Sequence, residues 1–405
     1  MFNNIDEALN WLYSKRNNNK NKDRLNYLIN KLDIYPKYKL ILITGTNGKG
    51  STALTIKHIL KNINYHVGTF TSPFVIFFND RIMINDRYIS NSEIMHYLSI
   101  LAKEFEEYYL LNNDIIPFFE LTLLMALMYF KDRNIDLGVF ECGIGGINDA
   151  CNVLNPDISI ITSIGYDHMN VLGNTLPEIL SNKLGIARKA KPLLINNYNN
   201  LAINNEIGFD LFDVSNCVTN IKSSIYGTEF MFENKLYKTN LITKYQAYNC
   251  ALAIKACKMI EASLPDDIIN YSLSNILSPG RMERVSDKPL IYLDGAHNKE
   301  AIENSIEFIS SIRENKRIIC IFYSLKDKDY PNMLKILNNY VDEYYFTDLS
   351  DSRSISYELY LPYITKNYTY FDNYNELLSK LKDDNCLYLF TGSLHFVSMI
   401  RNLFK

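Results

Sequence analysis

The sequence predicts an α/β chain of two domains, residues 1–283 and a smaller, doubly wound unit over 284–405. Three observations lead there. An apolar run, Leu40–Thr44, opens into the glycine-rich turn Gly45–Gly50 and then a helical pattern from Ser51 to Lys61, the strand–loop–helix start of an α/β unit. The same rhythm returns at Val67–Thr71, Asp136–Glu141 and Asp157–Ile164, each closing on a polar or glycine cluster. After Ser278-Pro279-Gly280-Arg281 the pattern breaks, and a second α/β series starts at Leu290–Leu293.

Taken in order, the first forty residues read as two polar-faced helices, with Ile5, Leu9, Leu12 and then Leu25, Leu28, Leu32 at helical spacing around an Asn/Lys-rich turn. The stretch Phe118–Phe130 is interrupted by Glu120 and falls short of the about 20 apolar residues that span a bilayer, so it predicts a core helix. From Ile195 to Thr243 the signal weakens into short alternating pieces such as Lys235–Thr239, expected to extend a sheet. A helix is expected over Tyr248–Glu261, and further strands over Ile318–Tyr323, Tyr344–Thr347 and Cys386–Thr391.

Composition bounds the function. A chain of 405 residues exceeds the usual size of one core. The hydrophobic and charged fractions, 47% and 21%, are those of ordinary globular proteins, and a net charge of -3 gives no global attraction to nucleic acid or an anionic membrane. Seven cysteines, an odd number without a CxxC pair, argue against a disulfide framework or thiolate zinc site and for a reducing compartment. The first residues turn polar too soon for a signal peptide. A cytoplasmic, monomeric protein without nucleic-acid or membrane partners is therefore expected.

The chemistry begins at Thr44-Gly45-Thr46-Asn47-Gly48-Lys49-Gly50-Ser51-Thr52. Its spacing departs from the strict Walker pattern, yet the physics is shared. Glycines let backbone N–H groups turn inward around phosphate oxygens, lysine supplies a point charge, and a Ser/Thr hydroxyl can ligate magnesium at the helix start. Residues 1–283 are accordingly expected to carry a P-loop-type phosphate turn. Glu141 at a strand end, followed by Gly143, Gly145 and Gly146, and His168 after Asp167 at another, are companions that open parallel sheets bring to one crevice. Magnesium prefers oxygen donors and rarely takes imidazole, so ligand preference alone does not assemble these into a metal set.

The motif series does. Thr44–Ser51, Thr71-Ser72-Pro73 with Phe78–Ile82, Phe119-Glu120, Glu141–Gly146, Asp167-His168, Lys183–Ile186, Gly280-Arg281, Asp294–Asn298 and Asp327-Lys328-Asp329 resemble, in order, the motifs of the folylpolyglutamate synthase and dihydrofolate synthase family of Mur ligases. The resemblance runs from about residue 40 to 400. It implies that residues 1–283 form a P-loop-type ATPase domain with the active site between it and the smaller C-terminal domain, in an ATP-dependent ligase that joins L-glutamate to tetrahydrofolate, or also to dihydropteroate, through an acyl phosphate. It also implies that Thr46, Asn47, Gly48, Lys49, Gly50 and Ser51 hold the ATP phosphates, with Asn249 near adenine, Arg281 near the phosphates, Asp294 near ribose and His297 near the terminal phosphate. By the same resemblance Ser51, Ser72, Glu141, His168 and a carbamylated Lys183 ligate Mg2+; Lys49, Lys183 and His297 are the expected catalytic groups; and Phe119, Glu120, Asp149 and Asn152 face the folate. Phe74 and Phe77 stand where relatives often carry histidine and arginine, and Ile147 and Cys151 where arginine and threonine are common. Leu184 replaces the small residue usual beside Lys183. Another Mur-type ligase acting on a cell-wall precursor is the competing enzyme reading. The non-enzyme alternative, a nucleotide switch, rests on Asn30-Lys31-Leu32-Asp33, which precedes the phosphate loop and falls in an expected helix.

Overall fold

The computed structural model describes residues 2–15, 21–326, 328–347 and 355–404, so Asp327 of the Asp327-Lys328-Asp329 motif lies outside the described residues. Among these residues three sheets form. The first contains β1 (Lys39–Thr44), β2 (Val67–Phe70), β3 (Ile82–Ile84), β4 (Arg87–Tyr88), β5 (Leu137–Glu141), β6 (Ile158–Ile161), β7 (Pro192–Ile195) and β8 (Asp210–Asp213). Their order is β4-β3-β2-β5-β1-β6-β7-β8, parallel from β2 to β8, with β3 and β4 antiparallel at one edge.

Apolar runs become central strands here because both faces are covered. Leu40 and Leu42 of β1 join Phe70, Phe140 and the buried helix Phe118–Asp132 on one side, together with the N-terminal helices Ile5–Ser14 and Lys22–Lys31. The alternate residues Ile41 and Ile43 join Val139 and the helices Lys49–Lys61 and Tyr245–Ile260 on the other. Strand register, more than composition, brings the loops together. Ile43 of β1 lies opposite Glu141 of β5, and Thr44 opposite Ile161 of β6, so three loops leave neighbouring strands at one edge.

The segment after Ile195 corrects the expectation of simple sheet extensions. Only β8 extends the main sheet; β9 (Val218–Ser224), β10 (Gly227–Phe232) and β11 (Lys235–Thr239) make a separate antiparallel sheet. Its inward residues Phe230, Phe232 and Tyr237 pack in the same core as the helix Tyr245–Ile260. That helix starts before the expected Tyr248. Its first turns carry Gln246 and Asn249, buried polar residues that mask the apolar periodicity.

The second α/β series forms the third sheet: β12 (Glu283–Asp287), β13 (Leu290–Leu293), β14 (Arg317–Phe322), β15 (Glu343–Thr347), β16 (Asn367–Phe371) and β17 (Cys386–Thr391). The order is β12-β13-β17-β14-β15-β16, parallel except for the β12 edge. Helices Lys299–Ile312 and Tyr330–Leu337 cover one face and Tyr374–Ser379 and Leu394–Arg401 the other, a doubly wound unit. Sequence reading missed β16, whose polar Asn-Tyr-Thr-Tyr-Phe composition is that of an edge strand, and β12, a hairpin partner without an apolar run. Among the described residues no helix is long and apolar enough to cross a membrane, and all seven cysteines are free.

Candidate active site

A cavity of about 430 Å3 opens where the loops after β1, β5 and β6 face the loop Asp294–Asn298 and the start of the helix Lys299–Ile312. The glycine-rich loop Gly45–Gly50 lines one side of it. Thr46 N–H donates to the Ser163 carbonyl (3.0 Å) and Asn47 N–H to Ser163 Oγ (2.8 Å), so the turn is tied to the loop after β6. Gly48 takes φ +89° at the cap of the helix, and a Cβ there would stand 2.3 Å from Asn249 Oδ1; both the turn and the approach of Asn249 require glycine. The first helical turn then presents the amides of Lys49, Gly50 and Ser51 without intrahelical acceptors, at the positive end of the helix dipole.

Lys49 Nζ donates to the Gly45 carbonyl (3.0 Å) and lies 3.9 Å from Glu141 Oε1. Glu141 is buried at the end of β5 and accepts from the Ser72 N–H (3.1 Å). Burial pushes its carboxyl above the ordinary range, an effect that Lys49 and the Ser72 amide offset in part. His168 sits in the left-handed region at φ +49°, where a non-glycine residue is uncommon, and burial lowers its imidazole. Lys183, from the helix Leu176–Leu184, is fully buried; burial first and Lys49 second lower its amine to about 7.

Arg281, just before the boundary, and Asp294 and His297 of the second domain line the same cavity. Asp294 is buried, takes the Ser305 hydroxyl and accepts from the Met282 N–H (3.1 Å); burial raises its carboxyl, while these hydrogen bonds and Arg281 oppose the rise. His297 Nδ1 donates to the Gly295 carbonyl (2.8 Å), and Nε2 faces Asp167 Oδ2 at 3.7 Å. Asp167 also lies 3.1 Å from Lys328 Nζ. Although burial raises the Asp167 carboxyl, His297 and Lys328 hold it well below the usual range.

The structure thus gathers Thr46 to Ser51, Ser72, Glu141, His168, Lys183, Asn249, Arg281, Asp294 and His297 around one cavity. The four residues expected to face the folate do not line it. Glu120 takes Arg24 through both oxygens, from Nε (2.7 Å) and Nη2 (2.6 Å). Asp149 accepts the Ile144 and Cys151 amides (both 2.9 Å) and shapes the Gly143–Cys151 loop, and Phe119 packs under Gly143. Asn152 is bound to Ile147 and Arg188. Sequence reasoning missed Tyr198, whose hydroxyl meets Glu300, and gave no role to Asn298 of the Asp294–Asn298 motif, which exchanges hydrogen bonds with Asn47 (3.0 and 3.4 Å). No motif signals Tyr198, and the motif that holds Asn298 does not show its partner: both contacts exist only because the two domains meet.

A metal fits this donor set in part. Among the described residues no group of three or more His, Cys, Asp or Glu could hold a metal ion. Yet Glu141 is a buried carboxylate destabilised by desolvation in a cavity that Ser51 and Ser72 also line, and a hard cation with oxygen preference would relieve it.

Comparison with known proteins places these features in a wider set. The Mur ligase middle domain model matches residues 43–257, and the Mur ligase glutamate ligase domain model residues 280–394. The chain is 34% identical to the dihydrofolate synthase/folylpolyglutamate synthase of Bacillus subtilis over 91% of each chain. It is 32% identical to the folylpolyglutamate synthase of Lacticaseibacillus casei over 73% of each. Among solved structures, the apo form of the L. casei folylpolyglutamate synthase superposes with a TM-score of 0.85 at 26% identity, covering 99% of both chains. A bifunctional folylpolyglutamate synthase/dihydrofolate synthase with Mn, AMPPNP and L-glutamate bound gives 0.85 at 25% identity, covering 99% of this chain and 98% of its own.

Proposed function

This chain belongs to the folylpolyglutamate synthase and dihydrofolate synthase family of Mur ligases, and from that premise we propose that it joins L-glutamate to a folate at the expense of ATP, with tetrahydrofolate as its preferred acceptor. The observation that carries the reading is the meeting of the phosphate loop, Glu141 and Arg281 with Asp294 and His297 of the other domain in one cavity.

A carboxylate is a poor electrophile, because attack by an amine would have to expel oxide. The acceptor's carboxylate oxygen therefore takes the γ-phosphoryl group of ATP, releasing ADP and giving an acyl phosphate. The amino group of glutamate then attacks the acyl carbon, and phosphate departs as the amide forms. Two anions must approach in the first step, and the groups suited to oppose their repulsion are the amides of Lys49 to Ser51, Lys49 Nζ, Arg281 and His297. Asn249 and Asp294 are assigned to adenine and ribose. Ser51, Ser72, Glu141, His168 and a carbamylated Lys183 would hold Mg2+, which when bound supplies further positive charge at the phosphates. An amine lowered to about 7 has a substantial neutral fraction near neutral pH, and the neutral amine is the form that adds CO2, which supports the carbamate assignment.

Acceptor preference rests on Phe74 and Phe77. The Phe74 ring lies 5.4 Å from the Arg81 guanidinium, and the half-exposed Phe77 packs edge-on against Tyr88. Phenyl rings in place of histidine and arginine remove hydrogen bonds that would orient a short acceptor. A bifunctional enzyme that also uses dihydropteroate is the second reading, favoured by the Bacillus relative's name. Phe119, Glu120, Asp149 and Asn152 are assigned to the folate side, outside the nucleotide cavity. The domain division at residues 283/284, a monomeric state and a cytoplasmic location complete the proposal, with neither nucleic acid nor membrane as partner. The test is glutamate-dependent ADP release with purified protein, comparing kcat/KM for tetrahydrofolate and dihydropteroate. Higher kcat/KM with tetrahydrofolate is expected; equal values or a preference for dihydropteroate overturn the preference, and no release with either overturns the ligase assignment.

A further inference from the structure

Lys328, of the Asp327-Lys328-Asp329 motif, pairs with Asp167, a residue that lines the site. Its ammonium lies 3.1 Å from Asp167 Oδ1, and both side chains are mostly buried, 12% and 13% exposed. The pair crosses the cleft. Asp167 stands in the loop after β6 of the large domain, whereas Lys328 and His297 stand in the loops after β14 and β13 of the small one. They meet only when the two sheets face each other.

Asp167 divides its oxygens between two tasks. Oδ1 accepts from its neighbour's backbone, the His168 N–H at 2.8 Å, and from Lys328. Oδ2 is left toward His297 Nε2 at 3.7 Å, while the other ring nitrogen of His297 is held by the Gly295 carbonyl at 2.8 Å. The imidazole is therefore held at Nδ1 by its own loop, while Nε2 faces the carboxylate of the opposite domain at ion-pair distance. An exposed ion pair contributes little, but a shielded one that fixes a side chain of the site acts through geometry, and a displacement of about 1 Å can cost on the order of 10²-fold in rate.

We propose that Lys328 is a positioning residue: by pairing with Asp167 across the cleft it holds that carboxylate against His297 and so sets the imidazole for phosphoryl transfer. The inference rests on the reading of the cavity as a ligase site, so its experiment carries one readout that needs no activity. Lys328→Met should lower kcat by about tenfold or more with the KM for ATP changed by less than about threefold, and Lys328→Arg should recover most of the loss. Because the effect runs through Asp167, the Lys328→Met/Asp167→Asn pair should be no slower than Asp167→Asn alone. Independently, carbethoxylation of His297 by diethyl pyrocarbonate, followed by peptide mass analysis, should quicken in Lys328→Met as the ring loses its constraint. Unchanged kcat, effects that multiply in the double variant, or unchanged His297 reactivity would each overturn the proposal. A wild-type enzyme without glutamate-dependent turnover defeats the ligase reading instead, and the His297 reactivity still decides whether Lys328 positions the ring.

Discussion

An ammonium group surrounded by protein and facing another cation is destabilised relative to water, and Lys183 is such a group. Burial, with Lys49 behind it, lowers its amine to about 7 from an ordinary 10.5. The sign of the consequence comes from proton counting. Below about pH 7 both folded and unfolded chains hold this proton, and the folded one bears the whole cost of a buried charge. Between about 7 and 10.5 the unfolded amine binds more proton than the folded one, so stability rises with pH. In CO2-free buffer the melting temperature of the wild type should therefore gain on that of Lys183→Met as pH rises from 7, by a few degrees on the order of 2 °C per kcal/mol. Parallel melting curves from pH 6.5 to 9.5 would refute a neutral buried amine; the pH limits are roughly chosen around that window. Lys183 itself was legible as one residue of a family motif. Its burial was not, because the helix Leu176–Leu184 is short and only its docking decides which face turns inward.

Helices are joined by their apolar faces, but the helices Lys22–Lys31 and Phe118–Asp132 are also joined by charge. Arg24 is fully buried and holds Glu120 by two hydrogen bonds and Asp114 by a third at 2.7 Å. Desolvation pushes the Glu120 carboxyl up, and the arginine opposes that. Removing one partner of such a pair leaves a charge without compensation, so Arg24→Met should cost about 3–5 kcal/mol in urea unfolding. Adding Glu120→Gln should return part of it, since the uncompensated charge is gone. A loss below about 1 kcal/mol would mean that solvent already shields the pair. The element itself was legible, as Phe118–Phe130 reads as a core helix. The carboxylate's partner was not: Arg24 stands 96 positions away, in a helix whose sequence carries no trace of the pairing.

The two domains share one cavity, which makes ligand binding a property of the whole chain. A ligand that touches both should stabilise them together, by RT ln(1 + [L]/Kd) or about 2.7 kcal/mol at a concentration of 100 Kd. A non-hydrolysable ATP analogue with Mg2+ is therefore expected to raise the melting temperature of a single transition by a few degrees, and the matching GTP analogue by much less. Equal shifts would revive the nucleotide-switch reading. A shift confined to one of two separate transitions would show that the nucleotide engages one domain alone.

Sequence by itself determined the α/β class, the second α/β series after Ser278–Arg281, the glycine-rich turn after β1 and the order of the motifs, because each is written in local terms: apolar runs long enough for strands, glycines where φ must be positive, and a lysine and hydroxyls at the start of a helix. Tertiary structure alone decided the rest. The β1–β5 register sets Ile43 beside Glu141 and thereby carries the carboxylate to the phosphate loop. The separation of β9, β10 and β11 from the main sheet comes from packing on the helix Tyr245–Ile260. Asp167 meets Lys328 from 161 positions away. The physical reason is common to all three: local sequence sets backbone preference over a few residues, whereas strand register, sheet membership and ion pairing depend on which distant surfaces exclude water together.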